Sequence, residues 1–202
     1  MSQDLILSLI VFAFVGSMTP GPNNTMLLAS GVNFGFRRTR AHMLGVTIGF
    51  TVMVLAVGLG IGRVFSLFPP LYTVMRVVSI VYLLWLAWRI ATAGATDPIV
   101  GDEARPMTFI EAALFQWVNP KGWMVALSVA ANYVAPDHLW ADVTVLSLVF
   151  LIISLISTSS WALFGTSLRP FLADAQAMRI FNVAMALALV ASLWPIVRDM
   201  AS

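Results

Sequence analysis

The chain has no cysteine, a single lysine and only two histidines in 202 residues. Without cysteine it can form neither a disulfide framework nor a thiolate metal site. It also has few charges, because 10% of its residues are Asp, Glu, Lys or Arg, compared with about a quarter in soluble proteins. No basic block is interleaved with aromatic residues, so nothing in the sequence indicates nucleic-acid binding.

The chain is rich in apolar residues instead. Hydrophobic residues make up 60% of it, and its mean hydropathy is +0.92. A composition this apolar indicates that most of the chain lies in a lipid bilayer. The first apolar segment follows Asp4 rather than a basic leader, and no Ala-x-Ala site comes after it, so we interpret it as a retained span and not a signal peptide. We therefore expect a single membrane domain over residues 1–202.

Six segments are long and apolar enough to cross a hydrocarbon core of roughly 30 Å, at about 1.5 Å per residue. They run approximately over residues 5–34, 41–62, 70–90, 108–134, 143–168 and 179–197. A polar linker, 94–106, divides the chain into halves of approximately 1–93 and 107–202. Because each half holds an odd number of spans, the second half is inverted relative to the first, as in many secondary transporters. The predicted fold is an all-α integral membrane protein with six transmembrane helices in a 3+3 inverted repeat.

The distribution of arginine predicts the orientation, since cytoplasmic loops carry the excess of basic residues. Seven arginines fall on the cytoplasmic side when both termini are periplasmic, against three outside. The seven are Arg37, Arg38, Arg40, Arg89, Arg105, Arg169 and Arg179, and the three are Arg63, Arg76 and Arg198.

Proline interrupts the first and fourth spans near their middle, at Thr19-Pro20-Gly21-Pro22 and at Asn119-Pro120. Proline has no N–H to donate to the carbonyl four residues earlier. These prolines should therefore free the carbonyl groups of Gly16, Met18 and Gln116. Non-helical backbone at such depth is tolerated only beside protein or a water-filled cavity. A single proline kink is also a common packing device, but two kinks at matched positions favour a functional role.

Each break is followed by the start of a new half-helix. Asn23 and Asn24 lie at the first restart, while Asn119 occupies an N-cap position with Pro120 as the first helical residue. In inverted halves, the two positive helix ends should converge on one cavity that attracts an anion. Lys121 adds a full charge there, and a lysine in mid-bilayer is a functional candidate by default. Freed carbonyls nearby could hold an ammonium, so the pair of breaks suits a zwitterionic amino acid. The predicted substrate-binding residues are Thr19, Pro20, Gly21, Pro22, Asn23, Asn24, Asn119, Pro120 and Lys121.

Taken together, four motifs resemble the LysE/RhtB family of amino-acid exporters. They are Ser17-Met18-Thr19-Pro20-Gly21-Pro22-Asn23-Asn24, Gly35-Phe36-Arg37-Arg38, Leu83-Leu84-Trp85-Leu86-Ala87-Trp88-Arg89 and Val118-Asn119-Pro120-Lys121. The doubled asparagine and the tryptophan-rich motif are most similar to the branch that exports cysteine and O-acetylserine. The resemblance implies six spans, proton-coupled export of amino acids or their derivatives across the bacterial inner membrane by alternating access, and a homodimer. It implies no cofactor.

Three further residues are candidates for proton coupling or gating, each with a structural alternative. Glu111 could carry a proton, but Thr108 through Glu111 also fits a capping box at the start of the fourth span, which we favour. Trp117 and Trp123 flank the second break, where gating and packing are equally compatible with the sequence. His42 follows three arginines and is predicted to lie at the membrane interface.

The sequence also bears on functions other than export of an amino acid. Export of a cation or another small solute on the same scaffold is the alternative, although the sequence has no cluster of cysteine, histidine or central carboxylate to hold a metal. A membrane-embedded enzyme would need a nucleophile with a base, or a His-Glu-x-x-His helix, and neither is present. We therefore predict a transporter with no catalytic residues.

Overall fold

The computed structural model describes residues 1–92, 105–194 and 197–198, and in this part of the chain the regular structure is entirely helical. Most of the predicted linker 94–106 lies outside the described residues. The helices are α1 (Gln3–Met18), α2 (Pro22–Gly58), α3 (Val64–Leu67), α4 (Pro69–Ala91), α5 (Phe109–Phe115), α6 (Pro120–Tyr133), α7 (Leu139–Leu168) and α8 (Ala175–Ala191).

The helix breaks lie where the sequence predicts them. Helix α1 ends at Met18, Thr19 is extended, and α2 begins with Pro22 after Gly21. In the second half of the chain, α5 tightens into a 3₁₀ turn over Gln116–Val118, and α6 begins with Pro120 after Asn119. Proline is the first residue of both α2 and α6, because its missing N–H is not needed in the first turn of a helix.

Helix α2 is interrupted at Gly35, in the interval between the first two predicted spans. Gly35 has φ of 76°, in the left-handed region that favours glycine, and it divides the 37-residue helix into segments 22–34 and 36–58. The chain turns at this one residue, so the connection between the two segments is shorter than the predicted interval of 35–40.

Helix α2 packs against α7 and α5 at distances that only glycine allows. A Cβ on Gly31 would lie 2.3 Å from the carbonyl oxygen of Ala162, and one on Gly45 would lie 2.4 Å from that of Phe109. Helices in lipid associate largely through such close packing of small residues. Glycine at these two positions therefore allows α2 to lie directly against the backbone of its neighbours.

Among the described residues, three helical segments are long and apolar enough to cross a bilayer, namely Pro22–Gly58, Thr73–Ala91 and Pro136–Leu172. Three shorter segments in the same part of the chain are also apolar, namely Gln3–Met18, Phe109–Val118 and Ala175–Ala191. Many large apolar side chains on these helices face outward, among them Leu7, Trp88 and Leu187, each at least 63% exposed. Outward apolar faces on this scale fit a surface in contact with lipid, so the chain is a multi-pass membrane protein.

Candidate functional site

The two helix breaks meet at one cavity of about 50 Å³. Its wall includes residues 21–24 at the start of α2 and Asn119, Lys121 and Gly122 at the start of α6, together with polar residues of α7. The predicted site residues Thr19, Pro20 and Pro120 are not part of this lining. The α7 residues are Ser154, Ser157 and Thr158. Segments nearly 100 residues apart in sequence are thus brought together at one cavity.

Lys121 connects the second break to the first. Its Nζ donates to the carbonyl oxygen of Thr19 at 2.6 Å and lies 3.4 Å from that of Pro20. The lysine stem passes over Gly21, where an added Cβ would lie 2.9 Å from Lys121 Cδ. Glycine at position 21 therefore makes room for the lysine, whose ammonium is bound by backbone carbonyls of the opposite half of the chain.

Side chains satisfy the backbone carbonyls of the first break. Asn24 Nδ2 donates to the carbonyls of Ser17 at 2.8 Å and of Thr19 at 2.9 Å, and Ser157 Oγ also donates to Ser17 at 2.8 Å. Together with the Lys121 contacts, the carbonyls of Ser17, Thr19 and Pro20 thus accept side-chain donors. Gly16 and Met18, whose carbonyls the sequence predicts to be free, lie in the last turn of α1, which ends at Met18. Their availability to a ligand stays a prediction.

At the second break, Asn119 occupies the predicted N-cap position but does not cap α6 with its side chain. The side chain is buried, with 2% exposure, and its Oδ1 has no hydrogen-bond partner among the described residues. The carbonyl of Gln116 is not free, which corrects the expectation from Pro120: it accepts from the Asn119 N–H at 3.2 Å, because the chain tightens into a 3₁₀ turn. An unpartnered buried acceptor is costly, so Asn119 Oδ1 marks a place for a donor.

A reciprocal pair of amides ties the two breaks together beside the cavity. Asn23 Nδ2 donates to Gln116 Oε1 at 2.8 Å, and Gln116 Nε2 donates to Asn23 Oδ1 at 3.1 Å. Gln116 is fully buried. Sequence reasoning missed this residue, although a glutamine between Phe115 and Trp117 in an apolar span is itself a signal that a polar partner is near.

Trp117 and Trp123 pack on each other beside the second break. Their rings meet edge to face with centroids 5.9 Å apart, and Trp123 Nε1 donates to the Trp117 carbonyl at 2.9 Å. Trp123 also contacts Phe65 edge to face at 4.7 Å. Both tryptophans are therefore packed against neighbouring residues. A gating role for them stays a prediction.

Glu111 lies away from the central cavity, at the start of α5. The predicted capping box is confirmed: Thr108 Oγ1 accepts from the Glu111 N–H at 3.2 Å, and a Glu111 carboxylate oxygen accepts from the Thr108 N–H at 2.8 Å. Arg105 binds the same carboxylate with two hydrogen bonds of 2.7 Å, which raise the pKa of this guanidinium. A carboxylate with this many donors is stabilised in its charged form.

His42 is the residue whose surroundings differ most from expectation. The sequence predicts an interfacial side chain, but the ring is 1% exposed and its Nδ1 lies 3.0 Å from Ser30 Oγ. The helix face carrying His42 turns toward the first segment of α2 rather than toward the arginines that precede it. Within the described ranges, no group of three or more acidic or histidine side chains is placed to hold a metal ion.

Comparison with known proteins places these features in a family. The profile described as "LysE type translocator" matches residues 14–192. The cysteine/O-acetylserine efflux proteins of Escherichia coli (strain K12) and Shigella sonnei (strain Ss046) are each 29% identical to this chain over 194 residues, covering 94% of it and 96% of their own length. No solved structure matches the chain.

Proposed function

The chain belongs to the LysE family of translocators, and from that membership we propose that it exports small amino acids or their derivatives across the bacterial inner membrane. Cysteine and O-acetylserine, which the names of its relatives give as their substrates, are the compounds we propose to test first. Alternating access, coupling to the proton gradient, periplasmic termini and a homodimer belong to the same proposal.

We propose six crossings in a 3+3 inverted repeat. Helix α1 has 16 residues and α5 has 7, while a crossing needs about 20. In this arrangement α1 with residues 22–34 forms the broken first span, and α5 with α6 forms the broken fourth. The segment 36–58 and helices α4, α7 and α8 provide the other four crossings.

The observation that carries the transport proposal is the contact between the Lys121 ammonium and the carbonyls of Thr19 and Pro20. It supports a site in which these carbonyls accept a primary ammonium, the group that an amino acid also carries. A substrate carboxylate would attract Lys121 Nζ, and the carbonyls would then be available to the ammonium of the substrate. Binding thus exchanges a bond between the two halves of the protein for bonds to the substrate.

Backbone amides at both helix starts support a carboxylate next to Lys121. The first intrahelical bonds are donated by Thr25 in α2 and by Trp123 in α6. The amides of residues 23–24 and 121–122 precede these donors and have no carbonyl within the helix to bind. Together with the positive ends of two helix dipoles, they favour a negatively charged ligand at this cavity.

Asn119 supplies a further hydrogen-bond acceptor for the substrate. Its Oδ1 is buried at the cavity without a partner among the described residues, and a substrate ammonium would satisfy it. The cavity of about 50 Å³ holds only a few waters. Such a small space favours amino acids with short side chains and requires some opening to admit them.

Counterflow in proteoliposomes tests the proposed function. Vesicles loaded with unlabelled cysteine should accumulate labelled cysteine added outside, since alternating access exchanges substrate without net flow. Because the protein has no cysteine, a thiol reductant can keep the substrate reduced without altering the protein. Absence of counterflow with cysteine, O-acetylserine and a panel of other amino acids would refute amino-acid transport, and accumulation of a metal cation instead would favour the alternative function.

Asn119→Ala tests the geometry of the site. A hydrogen bond to a charged group contributes about 1.5–3 kcal/mol, so its loss should raise the half-saturating cysteine concentration roughly tenfold or more. Asn132→Ala is the matched control, because Asn132 lies exposed on the same helix, where its amide donates to the Ser128 carbonyl at 2.7 Å. An unchanged half-saturating concentration in Asn119→Ala would remove Asn119 from the site.

A further inference from the structure

A second and larger cavity, of about 150 Å³, lies beside the first segment of α2. It is bounded by the end of α4 and the start of α5, and it is separate from the cavity between the helix breaks. Its polar lining consists of Ser30, Asn33, His42, Arg89, Arg105 and Glu111. A space of this volume holds several waters, and its lining has enough polar groups to bind them.

His42 is buried at this cavity with one ring nitrogen left open. Its Nδ1 is within hydrogen-bonding distance of Ser30 Oγ, at 3.0 Å, while Nε2 has no hydrogen-bond partner among the described residues. A neutral ring that donates from Nδ1 to the serine presents a free lone pair at Nε2. Nε2 is itself buried, so a small shift of its neighbours is needed before that lone pair accepts a proton from water in the cavity.

The other charged groups around the cavity are already engaged. Glu111 accepts two hydrogen bonds of 2.7 Å from Arg105 as well as the capping N–H. The Arg89 guanidinium lies over the Trp85 ring, 5.1 Å from its centroid. Neither guanidinium can lose its proton in a protein. Glu111 therefore serves better as a fixed negative charge, and it lines the same cavity as His42.

One other titratable side chain is fully buried in the described part of the chain. Asp142 accepts from the Ala135 N–H at 3.1 Å and lies 3.8 Å from the N-terminal ammonium. Its charge is compensated by these partners. His42 is thus the buried group best placed to change its protonation state.

The bond between His42 and Ser30 also spans the interruption of α2 at Gly35. Ser30 belongs to the segment 22–34, which begins at the central cavity, and His42 belongs to the segment 36–58. From Ser30 to Asn23 is seven residues, or roughly 10 Å along one rigid half-helix. A change in the charge of His42 alters the forces between the two segments and can be transmitted along the half-helix to the substrate site.

We infer that His42, and not Glu111, binds and releases the coupling proton. Nε2 takes a proton from cavity water to give an imidazolium opposite the Glu111 carboxylate, and returns it to water to give back the neutral ring. This inference rests on the proposed proton-coupled transport, which supplies both the proton gradient and the substrate movement.

His42→Asn in the reconstituted full-length protein tests the inference, since asparagine keeps a polar group for Ser30 but cannot titrate. Counterflow at equal pH needs no net proton movement and should stay within about twofold of the parent. At one proton exchanged per substrate, vesicles one pH unit more acidic inside should accumulate cysteine roughly tenfold through the parent, and the opposite gradient should deplete it by the same factor. The variant should show neither effect. His138→Asn, at an exposed position between α6 and α7, is the matched control and should behave as the parent.

The outcomes separate the inference from the proposed function. If the parent shows no counterflow, amino-acid transport itself fails. Gradient-driven accumulation by His42→Asn at the parental level overturns the inference alone, and so does a parent that exchanges cysteine but ignores both pH gradients. His42→Gln, which carries an amide toward the position of Nε2, is assayed in the same way if His42→Asn does not fold. A folded variant that also loses counterflow assigns His42 a structural role and overturns the inference as well.

Discussion

Lys121→Met separates a functional lysine from a structural one. Methionine keeps most of the stem that passes Gly21 but removes the ammonium that binds the Thr19 carbonyl at 2.6 Å. A hydrogen bond from a charged group contributes about 1.5–3 kcal/mol. If the same ammonium binds the substrate carboxylate, the half-saturating cysteine concentration in counterflow should rise about 10- to 100-fold.

Unlike transport, the thermal stability of the protein should not be impaired by this substitution. A lysine in the middle of a bilayer costs about 2.5–3.5 kcal/mol, and Lys121 is only half-buried in the structure, so its carbonyl contacts offset this cost in part or in full. Replacing it with methionine should leave the thermal midpoint in detergent unchanged or raise it. Arg179→Met, which removes an exposed cation on α8, should change neither quantity. Parental counterflow combined with a lowered midpoint would refute the reasoning, because it would make Lys121 a structural link between the breaks.

Three further predictions concern stability, with the thermal midpoint in detergent as the measurement. Gly31→Ala should lower it by the equivalent of about 1–3 kcal/mol, because the added Cβ would lie 2.3 Å from a carbonyl oxygen of α7; Gly16→Ala, whose Cβ would have no neighbour closer than 3.8 Å, is the control. Trp123→Phe should cost about 1 kcal/mol through the lost bond to the Trp117 carbonyl, and unaltered counterflow in this variant would argue against gating. Thr108→Ala should cost about 1 kcal/mol by removing the N-cap of α5, and an unchanged midpoint would show that the cap is dispensable.

Local chemistry made the helix breaks predictable. Proline lacks an N–H and clashes with the preceding turn of a helix. The C-terminal end of α1 and the first residues of α2 and α6 therefore follow from Pro20, Pro22 and Pro120, without knowledge of the rest of the fold. The capping box at Thr108 and Glu111 is likewise determined by residues three positions apart. The rules that succeeded here act within a single turn of helix.

The predictions that failed concern where side chains point after helices pack. Asn119 holds the position of an N-cap, yet packing buries its side chain instead of leaving it to bind the helix end. His42 follows three arginines in sequence, but the close approach of two α2 segments encloses its ring. Gln116 finds its partner Asn23 93 residues away. Such contacts depend on the arrangement of whole helices, which local sequence patterns do not specify.

The segment 22–34 is connected by polar side chains at its beginning, middle and end. Asn24 and Asn23 hold its start, Ser30 holds its middle to His42, and near its end Asn33 exchanges amide hydrogen bonds of 2.9 and 3.3 Å with Asn182 of α8. Inside a membrane an unpaired polar group is costly, so this half-helix can move only if each bond it loses is replaced. In the proposed mechanism the substrate replaces bonds at its start, and the proton changes the bond at its middle. Export driven by proton entry requires that the segment move with either ligand alone, with the substrate in one direction and with the proton in the other. Exchange of substrate for substrate would then need no proton at His42, which is why counterflow and gradient-driven accumulation separate the two roles.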